Sequence, residues 1–257
     1  SQLTLEDAAV IRRVLTKDLR CGVSVSTVNK VWPGLIPEFP CMLASALTPK
    51  LIKSVKFPAY VQTKMDGMRF AAVVRGQNVE YFTRNGLPLN LLGHLKEAFV
   101  TMAAGRDMVY DGELLVEQAG QILARQTGNG IIGKAEKGTI SAEEVATIRA
   151  VLWDRVPLVE FELGAGSQPY ELRFGYLQED VERSWCSMIS VVDTEIVNSL
   201  QEAAAAFTKR FAAGLEGIVL KTRDGRWENK RAKHQIKFKA VLECDLRVVG
   251  WLSLIHI

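Results

Sequence analysis

The stretch YVQTKMDGMRFAAVV, from Tyr60 to Val74, joins two apolar runs through a charged turn. Its flanks alternate and are rich in Val, Tyr and Phe, a pattern typical of half-buried β-strands. Between them, KMDGMR places a cation, an anion, a glycine and a second cation in close succession. A chain interrupts a core strand in this way where it approaches a charged ligand closely, although a surface turn is the alternative.

The composition indicates a soluble globular protein. Of the 257 residues, 48% are hydrophobic and 24% are charged, which is enough for one large domain with a substantial core. There is no apolar run long enough to span a bilayer and no signal peptide, so we expect no membrane contact. We also expect a monomer. The four cysteines are far apart and form no CxxC pair, which argues against a zinc site or disulfides and for a cytoplasmic location.

The net charge of +3 conceals a local basic stripe. Between Lys221 and Lys239 there are eight basic residues and two acidic ones. Such a stripe suits phosphates or a nucleic-acid backbone, with a solvated pair of strands as the alternative. The candidate nucleic-acid contacts within it are Lys221, Arg223, Lys230, Arg231 and Lys233.

Capping and turn signals divide the rest of the chain into helices and strands. A helix is expected over residues 1–20, and Ser141 with Glu144 three positions later predicts a capping box that begins another helix. SLQEAAAAFTKRFAAG predicts a helix that ends at Gly214. Strands with isolated polar residues are expected at NVEYFTRNG, DMVYDGELLVE, LEGIVLK and HQIKFKAVL. Together these elements predict a mixed α+β fold that directs several charges toward one place.

The isolated charges in these strands have the chemistry of a phosphate-handling site. They are Lys64, Arg69, Arg84, Glu113, Glu216, Lys237 and Lys239. The lysine of KMDGMR is a candidate amine nucleophile, and the two carboxylates in apolar strands suit magnesium. The last two lysines alternate with apolar residues and therefore share one strand face. This inventory matches the transfer of a nucleotide to a lysine.

In this order the motifs resemble those of the covalent nucleotidyltransferases, which comprise ATP-dependent DNA ligases, RNA ligases and mRNA capping enzymes. KMDGMR is similar to the nucleophile motif, and FTRNG, DGELL, EGIVLK and IKFK are similar to the motifs that follow it. Longer stretches, among them GNGIIGKAEKGTIS and GLEGIVLKTRDGRWENKRAK, resemble the T-even bacteriophage type of DNA ligase. The resemblance extends from about Asp18 to Trp251.

The resemblance implies an ATP-grasp-like adenylation domain, with antiparallel sheets flanked by helices, that uses ATP and Mg²⁺. Its lysine would attack the α-phosphate of ATP and carry AMP to the 5′-phosphate of nicked double-stranded DNA, after which the 3′-hydroxyl would seal the nick. The residues implied to bind ATP or AMP are Gln62, Lys64, Arg69, Arg84, Glu113, Trp153, Lys237 and Lys239. The implied metal ligands are Glu113 and Glu216, and Arg173 is a further candidate nucleic-acid contact.

Individual roles also follow from the resemblance. Gln62 is expected to read the adenine amine and Trp153 to stack on the base, with a core tryptophan as the alternative for the latter. Arg69 and Glu113 would hold the ribose, and Arg84 would serve the sugar or the phosphate at the nick. The two lysines of IKFK would neutralise the α-phosphate.

The resemblance further implies a division of the chain into segments. These are a remnant of an N-terminal helical DNA-binding domain (1–30), a linker into the next domain (31–56), the adenylation domain (57–243), the start of a truncated OB-fold (244–251) and a non-native tail, LSLIHI (252–257). Such a chain is expected to adenylate itself slowly and to seal nicks poorly. The alternatives are an RNA ligase or a capping guanylyltransferase, and a catalytically incomplete fragment that only binds nucleotide or nucleic acid.

Overall fold

The structure, a computed structural model, describes residues 4–16, 22–36 and 38–239. The chain divides into two units, Ser1–Phe39 and Pro40–Ile257. Among the helices of the described residues, none has both the length and the apolar character needed to cross a membrane.

The first unit contains two helices, α1 (Leu5–Leu15) and α2 (Val25–Val31). The first of them lies within the helix expected over residues 1–20. It begins at Thr4, whose hydroxyl accepts a hydrogen bond from the amide of Asp7 at 3.1 Å, while the Asp7 carboxylate accepts from the Thr4 amide at 3.0 Å. This capping box satisfies two N–H groups that have no partner inside the helix.

The second unit alternates irregularly between helices and strands. Its helices are α3 (Pro49–Ile52), α4 (Lys96–Ala103), α5 (Arg125–Lys137), α6 (Ala142–Val145), α7 (Leu158–Leu163), α8 (Tyr170–Ser184) and α9 (Leu200–Ala212). Its strands are β1 (Leu43–Ala46), β2 (Ala59–Thr63), β3 (Met68–Arg75), β4 (Asn78–Thr83), β5 (Pro88–Leu89), β6 (Met108–Gln118), β7 (Gln121–Ile122), β8 (Ile148–Pro157), β9 (Ala165–Pro169), β10 (Ile189–Val191), β11 (Thr194–Val197), β12 (Gly217–Thr222), β13 (Arg226–Glu228) and β14 (Arg231–Lys239). The segments predicted as the OB-fold start (244–251) and the tail (252–257) lie outside the described residues.

Most of these strands belong to two sheets. The five-stranded sheet has the order β1-β14-β12-β2-β11, in which β1 and β14 are parallel and the other pairs are antiparallel. The seven-stranded sheet has the order β10-β8-β6-β3-β4-β5, with β7 paired to β6 and with β10 parallel to β8. The predicted α+β class with antiparallel sheets flanked by helices is confirmed.

Two segments differ from what the sequence predicted: part of the expected linker forms a strand, and one predicted helix is short. Strand β1 comes from the segment 31–56, expected to be a linker, and it pairs along the edge of the five-stranded sheet. The predicted capping box is present, since the Ser141 hydroxyl accepts from the Glu144 amide at 3.2 Å and the Glu144 carboxylate accepts from the Ser141 amide at 3.1 Å. Helix α6 nevertheless ends after one turn, because the β-branched residues that follow favour the extended strand β8.

The main core lies where α4, α5 and α8 pack on the seven-stranded sheet. Phe99 and Met102 of α4 are fully buried there, and the Phe99 ring lies 6.3 Å from the ring of Phe70 and 5.6 Å from that of Tyr110. Burying each such side chain contributes about 1.5–3 kcal/mol. A smaller core forms where α9 covers the five-stranded sheet. Each sheet therefore has its own helical support on one face.

A bulge interrupts the pairing of β6 with β8 near the centre of the seven-stranded sheet. Asp111 pairs with Asp154 and Gly112 pairs with Leu152, so that Trp153 has no partner on β6. Because paired residues share a face of the sheet, the extra residue places Asp154 on the face of Asp111 and leaves Leu152 on the core face.

Strand β8 is tied to helix α8 by a buried ion pair. The guanidinium of Arg173 donates to the two carboxylate oxygens of Asp154 at 2.8 and 2.9 Å, and both side chains are at most 1% exposed. A further nitrogen of Arg173 donates to the carbonyls of Gln168 and Gly225. The interpretation of Arg173 as a nucleic-acid contact is therefore wrong, because its side chain is fully buried and committed to these acceptors.

Replacing Arg173 by alanine should lower the free energy of unfolding by about 3–5 kcal/mol, because the buried carboxylate of Asp154 loses its ion-pair partner and keeps only the hydrogen bond from the Arg155 amide. The double variant Arg173→Met/Asp154→Leu should recover most of this loss, since it removes both charges. Urea unfolding followed by circular dichroism measures the effect. A loss below about 1 kcal/mol in the single variant would contradict the structural role.

Candidate active site

The turn that carries KMDGMR passes from one sheet to the other. Strand β2 belongs to the five-stranded sheet and β3 to the seven-stranded sheet. The amide of Lys64 donates to the carbonyl of Gly217 at 3.0 Å, and the amide of Gly67 donates to the carboxylate of Glu113 at 3.0 Å. A Cβ atom at Gly67 would lie 2.3 Å from the carbonyl oxygen of Leu114. Glycine is required here because the turn presses against β6.

A pocket of about 540 Å³ opens beside this turn and is lined from both sheets. The predicted site residues on its wall are Gln62, Lys64, Arg69, Arg84, Glu113, Trp153, Glu216, Lys221, Arg231, Lys237 and Lys239. The structure thus brings together residues that are up to 177 positions apart in the sequence, from Gln62 to Lys239. Trp153 also packs against the main core, as the alternative for this residue expected, and its stacking on a base stays a prediction.

At one end of the pocket a single carboxylate bridges two lysines. The Glu216 carboxylate accepts a short hydrogen bond from the Lys64 amine and lies 2.9 Å from the Lys239 amine. Burial opposes ionisation of Glu216, but the hydrogen bonds from these two lysines outweigh it and lower its pKa. Glu216 therefore stays charged and holds the Lys64 amine at the pocket wall.

The same end of the pocket has more positive charge than its carboxylate can balance. Burial lowers the pKa of Lys237, and the nearby charges of Arg231, Lys239, Lys64 and Arg84 lower it further. Cations that suppress one another's charge in this way gain free energy when an anion binds among them. The arrangement suits a polyanionic ligand such as a string of phosphates.

Arg69 lies deeper in the pocket and is held by acceptors of its own sheet. Its guanidinium donates to both carboxylate oxygens of Asp111, at 3.0 and 2.6 Å, and to the carbonyl of Met42 at 2.8 Å. It also lies 5.5 Å from the centre of the Trp153 ring. These contacts fix both the arginine and the face of the aromatic ring within the pocket.

Glu113 is a partly protonated carboxyl at neutral pH. Burial raises its pKa from the ordinary 4.5 to about 7, against the hydrogen bond from the Gly67 amide and the charges of Lys64 and Arg69, which lower it. In the register of β3 and β6 it lies opposite Arg69, although that arginine bonds to Asp111 instead.

Lys221 is a buried residue of the pocket wall rather than part of an outer surface. The residue is 3% exposed. Its amine donates to the hydroxyl of Tyr170 at 3.1 Å and lies 4.4 Å from the centre of the tyrosine ring. Burial lowers its pKa to about 7. The interpretation of Lys221 as a contact to nucleic acid does not fit this structure, because the side chain is buried and its amine donates to Tyr170.

Of the remaining predicted nucleic-acid contacts, Arg231 lines the pocket, whereas Arg223, Lys230 and Lys233 do not. Arg223 forms an ion pair with Glu171, and Lys230 lies 3.2 Å from Glu228. Lys233 is exposed on β14. Arg231 lines the pocket while its guanidinium donates to the carbonyl of Ala44 at 2.9 Å.

Among the pocket residues that were not identified from the sequence, three hold the Lys64–Gly67 turn or Arg69 in place or share the face of Glu113. Asp111 could have been found, because it precedes Glu113 by two positions and therefore shares its strand face. Asn129 donates to the carbonyl of Gly67 at 3.2 Å from helix α5, and Met42 offers its carbonyl to Arg69. Neither of these two carries a local signal, since only the packing of α5 and β1 brings them to the turn.

Comparison with known proteins identifies relatives of this chain. A family model described as the ATP-dependent DNA ligase domain matches residues 41–239. The DNA ligase of Enterobacteria phage T4 is 39% identical over 283 residues, which cover 95% of this chain and 57% of the relative. The DNA ligase of Enterobacteria phage T6 is 39% identical over 281 residues with the same coverage. The chain thus spans a little over half the length of these curated relatives.

Solved structures share the fold. One named "Pmar-Lig_Pre." superposes with a TM-score of 0.73 and 27% identity, covering 89% of this chain and 54% of that one. The ATP-dependent DNA ligase of bacteriophage T7 in complex with ATP superposes with a TM-score of 0.64 and 17% identity, covering 78% and 68% of the two chains. At that identity the second likeness concerns the fold alone.

Replacing Glu113 by glutamine should change how stability depends on pH. Between pH 4.5 and about 7 the folded state retains a proton on Glu113 that the unfolded state has lost. The free energy of unfolding of the wild type should therefore fall across this window relative to that of the variant, by on the order of 3 kcal/mol.

Chemical unfolding at several pH values between 4 and 8 measures this difference. The matched control is Glu97→Gln on helix α4, an exposed glutamate outside the pocket, which should keep the wild-type slope. Parallel curves for the wild type and Glu113→Gln would show that Glu113 does not retain its proton on folding.

Proposed function

This chain belongs to the ATP-dependent DNA ligase domain family, and from that premise we propose that its pocket forms a covalent lysyl-AMP from ATP. One observation carries the proposal. The amine of Lys64 lies at the wall of a pocket whose cations, among them Lys237 and Lys239, exceed the carboxylates that face them. A triphosphate supplies the missing negative charge and places its α-phosphorus near the amine.

The catalytic residue in this proposal is Lys64. Its amine attacks the α-phosphorus of ATP, a nitrogen–phosphorus bond forms, and the bond to the bridging oxygen breaks as pyrophosphate leaves. The amine must give up a proton in this step, and the Glu216 carboxylate already accepts a hydrogen bond from it. Since phosphoryl-type transfer depends on positioning and charge neutralisation, the protein need supply little further chemistry.

We assign the phosphates to the cationic end of the pocket. Lys237 and Lys239 share a face of β14 and both line the pocket, so they would neutralise the charge that develops on the α-phosphate. Arg84, exposed in the turn after β4, is placed at the rim of the same pocket and would serve the sugar or a nick phosphate.

We assign the nucleoside to the deeper end. Trp153 offers an aromatic face for the base, and Gln62 lies on the neighbouring wall with a side-chain amide. The ribose would lie between Glu113 and Arg69. Because Arg69 is held by Asp111 and Met42, it supports the ribose from a fixed position rather than by reaching toward it.

Magnesium fits this pocket as a partner of the nucleotide. The described residues contain no group of three or more His, Cys, Asp or Glu that would hold a metal by itself. Mg²⁺ is usually bound by one or two carboxylates together with substrate phosphates, and Glu113 and Glu216 both line the pocket. When bound, the ion would neutralise phosphate charge.

For the later steps we propose nicked double-stranded DNA as the acceptor, with transfer of AMP to its 5′-phosphate before sealing. The match to a DNA ligase domain favours this over an RNA ligase or a capping enzyme. We also propose that the protein acts as a monomer in the cytoplasm. The exposed lysines Lys230 and Lys233 near the strand that lines the pocket would contribute to DNA binding.

Incubation with α-labelled ATP and magnesium, followed by denaturing electrophoresis, should label the wild type but not Lys64→Ala. Lys237→Ala and Lys239→Ala should each reduce the initial rate of labelling by about 10- to 1000-fold, because each removes charge that stabilises the transition state. Pyrophosphate release measured in parallel checks the stoichiometry. Equal labelling of the wild type and Lys64→Ala would exclude this lysine as the nucleophile.

The double variant Lys230→Ala/Lys233→Ala should bind nicked DNA more weakly and with a smaller dependence on salt. Two lost phosphate contacts should reduce the slope of log K against log salt by about 1.8. Fluorescence anisotropy of a labelled nicked duplex at several salt concentrations measures the slope. The charge-preserving variant Lys230→Arg/Lys233→Arg is the control, and an unchanged slope in the alanine variant would remove these lysines from the interface.

A further inference from the structure

We propose that the hydroxyls of Tyr170 and Thr194 fix the orientation of the Gln62 side-chain amide and thereby make the pocket select a 6-amino purine over a 6-oxo purine. This inference rests on the proposed function, in which Gln62 faces the base of a bound nucleotide. It assigns a role in specificity to two residues that do not themselves line the pocket.

The amide nitrogen of Gln62 lies next to two hydroxyl oxygens. It is 2.7 Å from the hydroxyl of Tyr170 and 3.1 Å from that of Thr194, its neighbour in the register of β2 and β11. A glutamine amide has one end that only donates hydrogen bonds and one that only accepts them. Which end faces these hydroxyls is decided by what the hydroxyls themselves can do.

Each hydroxyl has already committed its single hydrogen to a backbone carbonyl. The Tyr170 hydroxyl donates to the carbonyl of Trp153 at 2.7 Å, and the Thr194 hydroxyl donates to the carbonyl of Val192 at 2.8 Å. A carbonyl can only accept, so both hydroxyls can offer Gln62 nothing but lone pairs. The amine of Lys221 adds a further donor to the Tyr170 hydroxyl at 3.1 Å.

Gln62 must therefore present its nitrogen to the hydroxyls and its carbonyl oxygen elsewhere. Its two N–H groups are both used, and within residues 38–239 no hydrogen bond is found to its side-chain oxygen. Since Gln62 is on the pocket wall, its side-chain carbonyl oxygen is the group that it offers to a bound ligand, and this group is a hydrogen-bond acceptor. An acceptor can take a hydrogen bond from the amino group at position 6 of adenine, whereas it repels the oxygen at position 6 of guanine.

The arrangement is rigid enough to maintain this choice. Tyr170 is 1% exposed, and its ring packs 5.7 Å from the ring of Tyr60 and 5.6 Å from that of Phe174. Gln62 is 2% exposed on a strand paired on both sides. Rotating the Gln62 amide by 180° would place its carbonyl oxygen against two hydroxyl oxygens whose hydrogens are already donated elsewhere, and both hydrogen bonds to Gln62 would be lost. Tyr170 and Thr194 are thus positioning residues that act through Gln62.

The test measures equilibrium binding of ATP and of GTP by calorimetry in the Lys64→Ala background, so that no covalent step occurs. The double variant Tyr170→Phe/Thr194→Val should lower the preference for ATP over GTP by roughly tenfold or more, with GTP binding becoming tighter. General damage to the fold would instead weaken both nucleotides. The controls are Tyr176→Phe on the same helix and Thr208→Val, whose hydroxyl donates to the carbonyl of Ala204; neither should change the preference.

A second comparison tests whether the hydroxyls act through Gln62. In Gln62→Leu the preference should already be lost, and adding Tyr170→Phe/Thr194→Val should change it no further. An unchanged preference in the double variant, or an equal drop with and without Gln62, overturns the inference.

Labelling with α-labelled ATP separates this inference from the proposed function. Labelled protein together with an unaltered preference in the double variant would overturn the inference and leave lysine adenylation intact. ATP-selective binding that depends on the two hydroxyls, without labelling of the wild type, would support the inference and refute the proposed adenylation.

Discussion

The close approach of the Lys64–Gly67 turn to strand β6 is the contact on which the rest of the site depends. It is the point at which the chain leaves one sheet and enters the other, and it is held by one hydrogen bond to each: to Gly217 on one side and to Glu113 on the other. The gap of 2.3 Å between a hypothetical Gly67 Cβ and the Leu114 oxygen shows how little space the crossing has. Because the crossing is tight, Lys64 lies at the point where the two sheets meet.

The electrostatics of the pocket follow from which sheet supplies which charge. The five-stranded sheet brings Lys64, Lys237 and Lys239 against a single bridging carboxylate, Glu216. The seven-stranded sheet pairs its arginine with its own acid, Asp111, and keeps Glu113 partly neutral by burial. One wall is thus left with unbalanced positive charge and the other is close to neutral. A nucleotide has the complementary polarity, with its phosphates at one end and an uncharged base at the other.

Sequence reasoning identified the motif residues because each is a charge in an apolar strand, and such a charge needs a partner wherever the strand lies. The pocket wall contains all the residues predicted to bind nucleotide, from Gln62 to Lys239.

Prediction from the sequence failed where the role of a residue depends on packing between elements distant in the sequence. Arg173 looked like any other cation, and nothing local showed that Asp154 on β8 would bury it. The basic stripe of 221–239 likewise gave no sign that Lys221 is buried while Lys233 is exposed. Tyr170 carried no chemical signal at all, since its role comes from the hydrogen bonds of its neighbours.

The bulge between β6 and β8 gives two adjacent residues different structural roles. Trp153, the residue without a partner on β6, provides the aromatic wall of the pocket, while Asp154 keeps its register and anchors helix α8. In a ladder without the extra residue, neighbouring positions alternate between the two faces of the sheet. The extra residue thus gives the pocket an aromatic wall at Trp153 and still places the Asp154 carboxylate where it holds helix α8.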